Sequence, residues 1–511
     1  MRHQITLLLA VLFVIAGCDR NNNDVVPEEI INEDPATFAE VGQLDIGDAG
    51  AAEISAYDPA TKRLFVVNNS AGVENETAAN VIDVIDISNP AEPKKIHSIS
   101  LAPYGGAVNS LSVFAGKVAG AIQASTKTDN GKVVVFNTSD YKEVKSITVG
   151  ALPDMITYTP DGQYILTANE GEPTTEDYSV DPEGSISVIA VKENYAVTTV
   201  NFASFADKRA ALEAKGFRVF GKTNDFVKDI EPEYLTVSSD SKTAWITLQE
   251  NNAIAKMNIA SKTITDIFPL GFKDYNVTGN EIDVSDEDGK MELKNWPVKG
   301  VYMPDGIAVT EVGGIPYLFT ANEGDAREWG DFEEPVRIKD VQLDAAAFPG
   351  ADALQAKAVL GRLNITKFLG DKDGDGDYDE LYSFGARSFS VWNGITGAQV
   401  YDSKRELDEK VMEAGVYDDK RSDDKSIEPE GMAIGKIGTT PVAFVGMERV
   451  DAVAVYDIRN PQQPKFLQLL KTGDAPEGVM IIPAKDSPTK RSLLVVSSED
   501  DGVVKLFSPA G

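Results

Sequence analysis

Cysteine and histidine are almost absent from this sequence. Its 511 residues include 1 Cys and 2 His. Cys18 and His3 fall in an N-terminal stretch with the features of an export signal, which leaves only His97 in the rest of the chain. The composition therefore excludes disulfides, thiolate metal sites, cysteine nucleophiles and multi-histidine metal sites. A Ser-His-Asp triad would have to use His97, whose context, KKIHSISL, is typical of a solvent-facing strand at an outer edge.

Basic residues are also scarce. Lys and Arg total 48 against 81 Asp and Glu, a net charge of −33. Such a surface repels nucleic acid and anionic membranes unless cations bridge the gap, so we expect no nucleic-acid partner. The excess of acidic residues has two interpretations. It either forms a solvent-exposed surface that keeps the protein soluble, or it includes carboxylates that act as metal ligands. With 42% hydrophobic residues, the chain can still bury a large core.

The N-terminus predicts export and lipidation. Arg2 and His3 precede the apolar run ITLLLAVLFVIAG, which is short for a membrane span and ends in Ile15–Cys18. This ending resembles a bacterial lipobox, in which the signal is cut before the Cys and the Cys is lipidated. We therefore predict a signal peptide at 1–17, a lipid-anchored flexible leash at 18–36 and a folded domain at 37–511. The protein would lie at the outer membrane, the cell surface or the periplasmic face.

Helical periodicity is scarce, whereas short strand-like runs recur throughout. A repeated unit opens with Pro and an acid, as in LPDMITYTPDG, EPEYLTVSSDS, MPDGIAVTEVGG, EPEGMAIGKIG and APEGVMIIPAK. A second strand follows and ends in an acidic turn, and the string TANEG forms that turn twice, at 167–171 and 320–324. Two degenerate units precede these. About seven four-stranded units predict an all-β fold, a seven-bladed β-propeller with long inter-strand insertions.

Two further expectations concern the insertions and the closure of the ring. The units that begin at Asp154, Glu233 and Asp305 are much longer than the about 40–45 residues that a blade needs. Insertions from the third, fourth and fifth blades should therefore wall one mouth of the channel. Residues 38–46 can form a strand that pairs with the final run GVVKLFSP and removes the last free edge.

The acids of the repeat are the main candidate site. A propeller would gather them in one funnel, and carboxylates packed so closely raise one another's pKa unless a cation such as Ca²⁺ or Mg²⁺ intervenes. The alternative is that each acid accepts backbone hydrogen bonds in its own blade. The first acid positions are Glu53, Asn109 or Ser110, Asp154, Glu233, Asp305, Glu430 and Glu477, and the turn acids are Glu170, Glu250, Glu323, Glu448 and Glu499.

An aspartate-rich tract predicts a calcium loop. It alternates carboxylates with glycines in the D-x-D-x-D-G pattern, at Asp371, Asp373, Asp375, Asp377 and Asp379. Tyr382 stands where the twelfth-position Glu of an EF-hand would be, so the loop is not a complete EF-hand. Its flanks are strand-like, which favours a structural Ca²⁺ between strands over a solvated acidic hairpin.

Three arginines adjoin the acids: Arg327, Arg387 and Arg449. Arginine beside a metal can clamp a phosphate or carboxylate, although such residues more often pair with neighbouring carboxylates.

The sequence resembles the choice-of-anchor I family, bacterial surface proteins related to mesenchyme-specific cell surface glycoprotein. The matching text includes LPDMITYTPDGQYILTANEGEP, MPDGIAVTEVGGIPYLFTANEGDAREW, DGDGDYDELYSFGARSFSVW and EPEGM. The resemblance covers nearly all of 38–510 and implies a YVTN/WD40-like seven-bladed propeller with no firm activity. The Cys ligand of iron-dependent propeller phosphatases has no counterpart in the mature chain.

Two functions fit these features. The first is a monomeric, non-catalytic propeller whose calcium-assisted funnel binds a ligand or a surface protein. The alternative is a Ca²⁺- or Mg²⁺-dependent phosphoesterase, of the alkaline-phosphatase or phytase type. Its base would be Glu170, Glu323 or Glu430, and Arg327 or Arg387 would clamp the phosphate.

Overall fold

The computed structural model describes residues 32–70, 79–174 and 177–510. The predicted signal peptide, Cys18 and the leash up to residue 31 lie outside these residues. The end of the predicted leash is described and already contacts the domain. Glu33 is buried, and its carboxylate accepts hydrogen bonds from the Ser492 amide at 2.8 Å and hydroxyl at 2.7 Å. The folded part therefore begins by Glu33, before the predicted boundary at residue 37.

Seven four-stranded antiparallel sheets dominate the described residues. A first strand, β1, spans Ala39–Asp45 and belongs to the last sheet. Sheets 1, 2 and 3 follow in chain order: β2–β5 (Ala51–Asp58, Arg63–Asn68, Val81–Asp86, Lys94–Ser100), β6–β9 (Val108–Phe114, Lys117–Ile122, Asn130–Asn137, Glu143–Ala151) and β10–β13 (Pro153–Tyr158, Tyr164–Asn169, Ser185–Ala190, Ala196–Val200).

Sheet 4 follows the short helix α1 (Arg209–Glu213) and comprises β14–β17 (Leu235–Val237, Thr243–Leu248, Ala253–Asn258, Thr263–Pro269). Strands β18 (Phe272–Asp274) and β19 (Lys299–Val301) precede sheet 5, which starts with β20 (Ile307–Val312) and β21 (Ile315–Asn322). An insertion then holds β22 (Glu328–Trp329), β23 (Phe332–Glu333), β24 (Pro335–Arg337), α2 (Ala351–Leu354), β25 (Asn364–Thr366) and β26 (Tyr382–Ser383).

Sheet 5 is completed by β27 (Ser388–Asn393) and β28 (Gln399–Asp402), and α3 (Glu406–Ala414) follows it. Sheet 6 comprises β29–β32 (Pro429–Ile437, Thr440–Met447, Ala452–Asp457, Lys465–Lys471), and sheet 7 comprises β33–β35 (Pro476–Ile482, Leu493–Ser498, Val503–Ser508) together with β1. Short 3₁₀ turns cover Val191–Glu193, Ala203–Lys208, Ile338–Asp340, Asp419–Arg421 and Glu448–Val450.

The sheets follow one another around an axis. The first strand of each sheet contacts the first strand of the next, from β2 through β6, β10, β14, β20 and β29 to β33, and β33 contacts β2. Apolar cores lie between neighbouring sheets, and one of them joins Val66 of sheet 1 to Val495 of sheet 7. This is the arrangement typical of a β-propeller.

The N-terminal strand closes the last sheet, as the sequence predicts. Strand β1 pairs antiparallel with β35, from Ala39 opposite Ser508 to Asp45 opposite Val503.

His97 lies exposed on β5, the outermost strand of sheet 1, and stacks on Tyr141 with ring centroids 4.5 Å apart. The prediction of a solvent-facing strand histidine is confirmed.

The long insertions leave sheets 3, 4 and 5, as predicted, and the largest lies inside sheet 5, between β21 and β27. Strands from two insertions form one small sheet, in which β18 pairs with β19 and β19 runs parallel to β26. The insertions have an apolar core of their own that includes Tyr275, Leu360 and Ile365. No helix among the described residues has the length and apolarity needed to cross a bilayer.

Candidate functional site

The Pro-acid motif begins with an unusual backbone turn. The residue before the proline has a positive φ in four sheets: 46° at Leu152, 44° at Met303, 46° at Glu428 and 55° at Ala475. Residues other than glycine adopt this conformation rarely, and it concentrates at sites that the surrounding structure holds in place. The proline then fixes its own φ, so the chain enters each first strand in the same way.

A β-bulge at the acid frees it from the strand ladder. In sheet 3 regular pairing stops at Pro153 and resumes at Ile156, and in sheet 6 it stops at Pro429 and resumes at Met432. The same shift follows Pro476 in sheet 7. Because a bulge bends its strand and redirects the extra residue, the acid after each proline turns out of the ladder and toward the axis.

A repeated hydrogen bond joins the acidic turn to the Pro-acid turn of the same sheet. The Glu170 amide donates to the Leu152 carbonyl at 2.9 Å, and the Glu448 amide donates to the Glu428 carbonyl at 3.0 Å. In sheet 7 the Glu499 amide donates to the carbonyl of Ala475 at 2.9 Å. Each of these sheets therefore brings its two acids to the same end of the channel.

The two TANEG strings make the same turn. In the first copy the Thr167 hydroxyl donates to Asn169 Oδ1 at 2.9 Å, and Asn169 Nδ2 donates to Ser187 Oγ at 3.0 Å. In the second copy Thr320 donates to Asn322 at 3.0 Å, and Asn322 donates to the hydroxyl of Ser390 on β27 at 2.9 Å. All these side chains are buried, so Thr and Asn hold the turn within its own sheet.

The glycine and the glutamate of TANEG have different tasks. Gly171 and Gly324 have φ of 72° and 96°, and a Cβ on Gly324 would lie 2.1 Å from the Gly385 amide nitrogen. The glycine is therefore required by both φ and space. The glutamates, Glu170 and Glu323, have no comparable bond within the turn and are directed to the channel.

Two cavities on the axis collect the first acid positions of all seven sheets. The wide cavity has a volume of about 360 Å³ and the narrow cavity about 130 Å³. They are adjacent, since Asn109, Asp154, Glu233 and Glu477 line both. Glu53 completes the ring in the wide cavity, and Asp305, Glu430 and Ser110 line the narrow one. Three turn acids, Glu170, Glu250 and Glu499, also line the wide cavity.

Three carboxylates meet closely enough to share one cation. Asp305, Glu323 and Glu430 each offer an oxygen, and these oxygens lie within 4.8 Å of one another. We call this group the channel triad. One buried oxygen of Glu430, Oε2, has no hydrogen-bond partner. An all-oxygen set of this kind suits a hard divalent cation, and the buried acceptor without a donor fits one.

A neighbouring set of carboxylates already binds the ammonium of a lysine side chain. Glu323 also lies within 4.8 Å of Glu428 and Glu448, measured between ligand oxygens. Lys425 Nζ lies 2.9 Å from Glu323 Oε1, 3.0 Å from Glu428 Oε2 and 3.1 Å from Asp325 Oδ1. Lys425 is mostly buried and therefore neutralises this side of the channel from within.

The channel acids bind protons more tightly than free carboxyls. Burial, reinforced by Glu499 and Asp154, raises the pKa of Glu53 to about 8, and burial raises the pKa of Asp154 to about 6. Burial raises the pKa of Glu323 and of Glu448 to about 7. Burial and neighbouring carboxylates also raise the pKa values of Glu170, Glu233, Asp305, Glu430 and Glu477 well above the usual range. A bound cation would favour the ionised forms instead.

Arg327 pairs with carboxylates, the outcome that the sequence favoured, whereas Arg387 is held by backbone carbonyls. Arg327 is 1% exposed, and its Nη1 lies 2.6 Å from Asp229 Oδ1 and its Nη2 2.8 Å from Glu231 Oε2. Arg387 is equally buried, and its Nη2 donates to the carbonyls of Ser422 and Asp424, both at 2.8 Å. Neither guanidinium lines the wide or the narrow cavity. They support the insertions and do not stand where a phosphate clamp would be needed. Arg449 does reach the channel acids, with Nη1 2.8 Å from Glu448 Oε1.

The aspartate-rich loop lies between β25 and β26 and folds around its first member. Asp371 accepts hydrogen bonds from the amides of Gly374 at 2.7 Å and Gly376 at 3.1 Å. Its ligand oxygens lie within 4.8 Å of those of Asp373 and Asp379.

A second group in this loop recruits a residue that the sequence did not indicate. Asp377 and Asp379 lie with Asp344, and their ligand oxygens are within 4.8 Å of one another. Asp344 belongs to the segment between β24 and α2, so the group joins two distant parts of the insertion. Asp375 belongs to neither group, and its Oδ1 accepts the Asp377 amide at 3.1 Å.

Sequence reasoning missed several channel residues. Glu231 lines the wide cavity, and Glu428 holds Lys425. Both occur in the same string, Glu-Pro-Glu, at 231–233 and 428–430, and this recurrence was an available signal. Nothing in the local sequence distinguishes Lys127 or Lys425 from other surface lysines, because only the fold brings them to the acids.

Comparisons with known proteins identify a family and two relatives by sequence. A sequence model of the choice-of-anchor I domain matches residues 53–461. Gigasin-3a of Magallana gigas is 30% identical over 193 aligned residues, covering 31% of this chain and 68% of Gigasin-3a. The mesenchyme-specific cell surface glycoprotein of Strongylocentrotus purpuratus is 24% identical over 335 residues, covering 55% of this chain and 43% of the glycoprotein.

Solved structures extend the comparison to the fold. The WD40 repeats of RRP9 have a TM-score of 0.50 and 9% identity, covering 94% of this chain and 99% of that one. U3-55K has the same TM-score and 8% identity, covering 94% of this chain and 100% of its own. At such low identity the likeness concerns the fold alone, which is the β-propeller fold of WD40 proteins.

Proposed function

The chain belongs to the choice-of-anchor I domain family, and from that premise we propose that it is an exported surface protein that binds a cationic ligand or protein partner in its acidic channel, assisted by a divalent cation. We infer that the seven sheets are the blades of one closed propeller. In this proposal the protein is a monomer, has no catalytic activity and does not bind nucleic acid.

The observation that carries this proposal is the convergence of the repeat. Six carboxylates and Asn109, one from each sheet, line two adjacent cavities, although they are spread from residue 53 to residue 477. Hydrogen bonding within the blade accounts for the Thr and Asn of each TANEG turn but not for the acids. Buried carboxylates that crowd a polar channel have either to remain protonated or to meet a cation.

The channel triad is the proposed divalent site. Calcium accepts 6–8 oxygens, so three carboxylates would leave room for water or for ligand oxygens. Isothermal titration with CaCl₂ and MgCl₂ tests this on the full chain at pH 7.5. We expect Glu430→Gln to weaken binding at least about tenfold, which corresponds to about 1.4 kcal/mol. Asp352→Asn removes one charge from an exposed helix and serves as the control. Equal binding by both variants would refute the site.

We propose that the aspartate-rich loop binds a separate, structural calcium ion. The two carboxylate groups that share Asp379 would link the loop to the segment of Asp344. Chelation by EGTA should then lower the melting temperature of the wild type, and Asp379→Asn should remove most of this difference. A melting temperature that does not respond to chelation would count against it.

Attachment through a lipid on Cys18 completes the proposal, because the sequence before it has the order of a lipoprotein signal. Expression of the full chain in a bacterial host should place it in the membrane fraction, with Cys18→Ser moving it to the soluble fraction. Partition that is the same for both would remove the lipid anchor and leave the channel proposal intact.

The phosphoesterase alternative retains candidate acidic residues, but neither of its candidate arginines is positioned to bind the phosphate. Of the candidate bases, Glu170 and Glu430 line the cavities and Glu323 lies beside Glu430. Arg327 and Arg387 are held elsewhere by buried partners. Assays with p-nitrophenyl phosphate, bis-p-nitrophenyl phosphate and phytate, each with Ca²⁺, should therefore show no turnover. Turnover that Glu323→Gln abolishes would reinstate the hydrolase.

A further inference from the structure

The carboxylates of the wide cavity do not converge on one point as the ligands of a carboxylate-rich calcium site do. A calcium ion needs its oxygens at 2.3–2.6 Å, so ligands on opposite sides of the ion lie about 5 Å apart. Among the described residues, no three carboxylates that line this cavity bring ligand oxygens within 4.8 Å of one another. The volume of about 360 Å³ is far more than one water molecule or one ion occupies. An occupant with its charges distributed along a chain fits this wall better than a single ion.

The protein itself places one alkylammonium group in the cavity. Lys127 is the only cationic side chain among the described residues that line it, and it pairs with Glu172. Its charge also lowers the pKa values of Asp154 and Glu170, against the larger effect of burial. The wall therefore accommodates a primary ammonium, and one lysine leaves most of its carboxylates without a counter-ion.

A buried oxygen among the residues that line the cavity lacks a hydrogen-bond donor. Glu477 lines both cavities, and its Oε2 is buried without a hydrogen-bond partner. A buried carboxylate oxygen left in this state costs free energy, and an N–H donor from a ligand would remove that cost. This points to a ligand that donates hydrogen bonds as well as carrying charge.

The lining also discriminates between classes of cation. Of the described residues around the wide cavity, none is aromatic. Quaternary ammonium groups are held over aromatic faces and have no N–H to donate, so this wall is unsuited to them. Primary ammonium groups have three donors each and match carboxylate walls.

From these observations we propose that the wide cavity binds a linear alkylammonium ligand, either a free polyamine or lysine side chains of a partner segment. The proposal rests on the proposed function and names the chemistry of its ligand. The ammonium groups would contact Glu170, Glu233 and Glu477, and Lys127 would act as a tethered competitor.

Calorimetry on the full chain tests the proposal at fixed ionic strength, with spermidine and a trilysine peptide as probes and choline as the quaternary control. We expect both amines to bind and choline not to bind. Glu170→Gln should weaken spermidine at least about tenfold, and Lys127→Met should strengthen it about fivefold. Asp352→Asn should change the binding of neither spermidine nor trilysine, and this variant controls for the change in total charge. The tighter of the two amine probes identifies the source of the ligand.

The outcomes separate this proposal from the proposed function. Calcium binding that depends on Glu430, without any amine binding, would overturn the alkylammonium ligand and keep the channel site. Amine binding that Glu170→Gln leaves unchanged, or choline binding of equal strength, would also overturn it. The absence of both calcium and amine binding would refute the channel as a whole.

Discussion

At the scale of single residues, Lys425 is the cation that the fold has built into its acidic channel. Its ammonium contacts Glu323 and Glu428, which come from different parts of the chain, and Glu428 is fully buried. Removing one partner from a buried ion pair leaves the other charge without compensation. The lysine is therefore a structural element of the channel, and we expect its removal to destabilise the whole domain.

Lys425→Met keeps the length and apolar volume of the side chain and removes the charge. We expect a loss of about 3 kcal/mol in the free energy of unfolding at pH 7.5, measured by urea denaturation. Lys436→Met, at an exposed position on β29, should change it by less than about 0.5 kcal/mol. If the two variants are equally stable, Lys425 does not carry the role assigned to it.

A second prediction at this scale concerns pH. The folded pKa of Glu53 is about 8 against an ordinary 4.5, and that of Asp154 about 6 against 3.8. The folded state therefore binds more protons than the unfolded state between about pH 4 and pH 8, so stability falls as pH rises through that range. Without divalent cations, the melting temperature should be higher at pH 5 than at pH 8, and Glu53→Gln should flatten part of the slope. A melting temperature that rises with pH over this range would contradict the raised pKa values.

At the scale of elements, the acidic turn shows what the local sequence could and could not predict. The repeat of TANEG predicted two equivalent turns, and the structure has them. The sequence did not indicate that Asn169 would be held by hydrogen bonds to Ser187 on the next strand, since the turn chemistry of Asn explains its presence equally well. Pairing partners across strands are decided by the register, which short motifs do not encode.

The glycine of the turn gives a test of this element. Gly324→Ala imposes a left-handed alanine at φ 96° and places Cβ 2.1 Å from the Gly385 nitrogen, which the backbone must move to accommodate. Gly313→Ala imposes a similar conformation, at φ 62°, with no atom within 4 Å. We expect the Gly313 variant to lose about 1–2 kcal/mol and the Gly324 variant clearly more, by denaturant unfolding. Equal losses would mean that the close approach to Gly385 is unimportant.

The insertions are the elements for which prediction was least complete. Their positions followed from the spacing of the acids, because a blade has a known length. Their internal structure could not be predicted. Strand β19, which precedes sheet 5, pairs in parallel with β26, which lies in the insertion inside sheet 5. Asp344 reaches the aspartate-rich loop from a separate segment. Contacts between irregular segments leave no periodic signal, so the sequence could not decide whether Arg327 and Arg387 clamp a ligand or pair with groups of the protein. The structure holds both among buried partners.

At the scale of the whole molecule, one N-terminal strand covers the edge of the last sheet. Strand β1 is largely exposed, yet its backbone pairs with β35 along its length, and Phe38 just before it is buried against Phe444. The sequence predicted this closure because 38–46 is a strand without a blade of its own. The function of β1 is therefore to cover the edge of β35 rather than to fill a core, and an uncovered edge is a template for pairing with another chain.

Deletion of the residues before Gly47 tests this role. The shortened chain should keep most of its apolar core but expose the edge of β35, so we expect a lower melting temperature and concentration-dependent dimers or larger species in light scattering. A chain that begins at residue 32 retains Glu33 and its bonds to Ser492, and it should remain monomeric with the stability of the longer chain. A monomeric shortened chain of unchanged stability would mean that the ring does not need β1 to close. The channel acids would then be held together by the contacts between first strands alone.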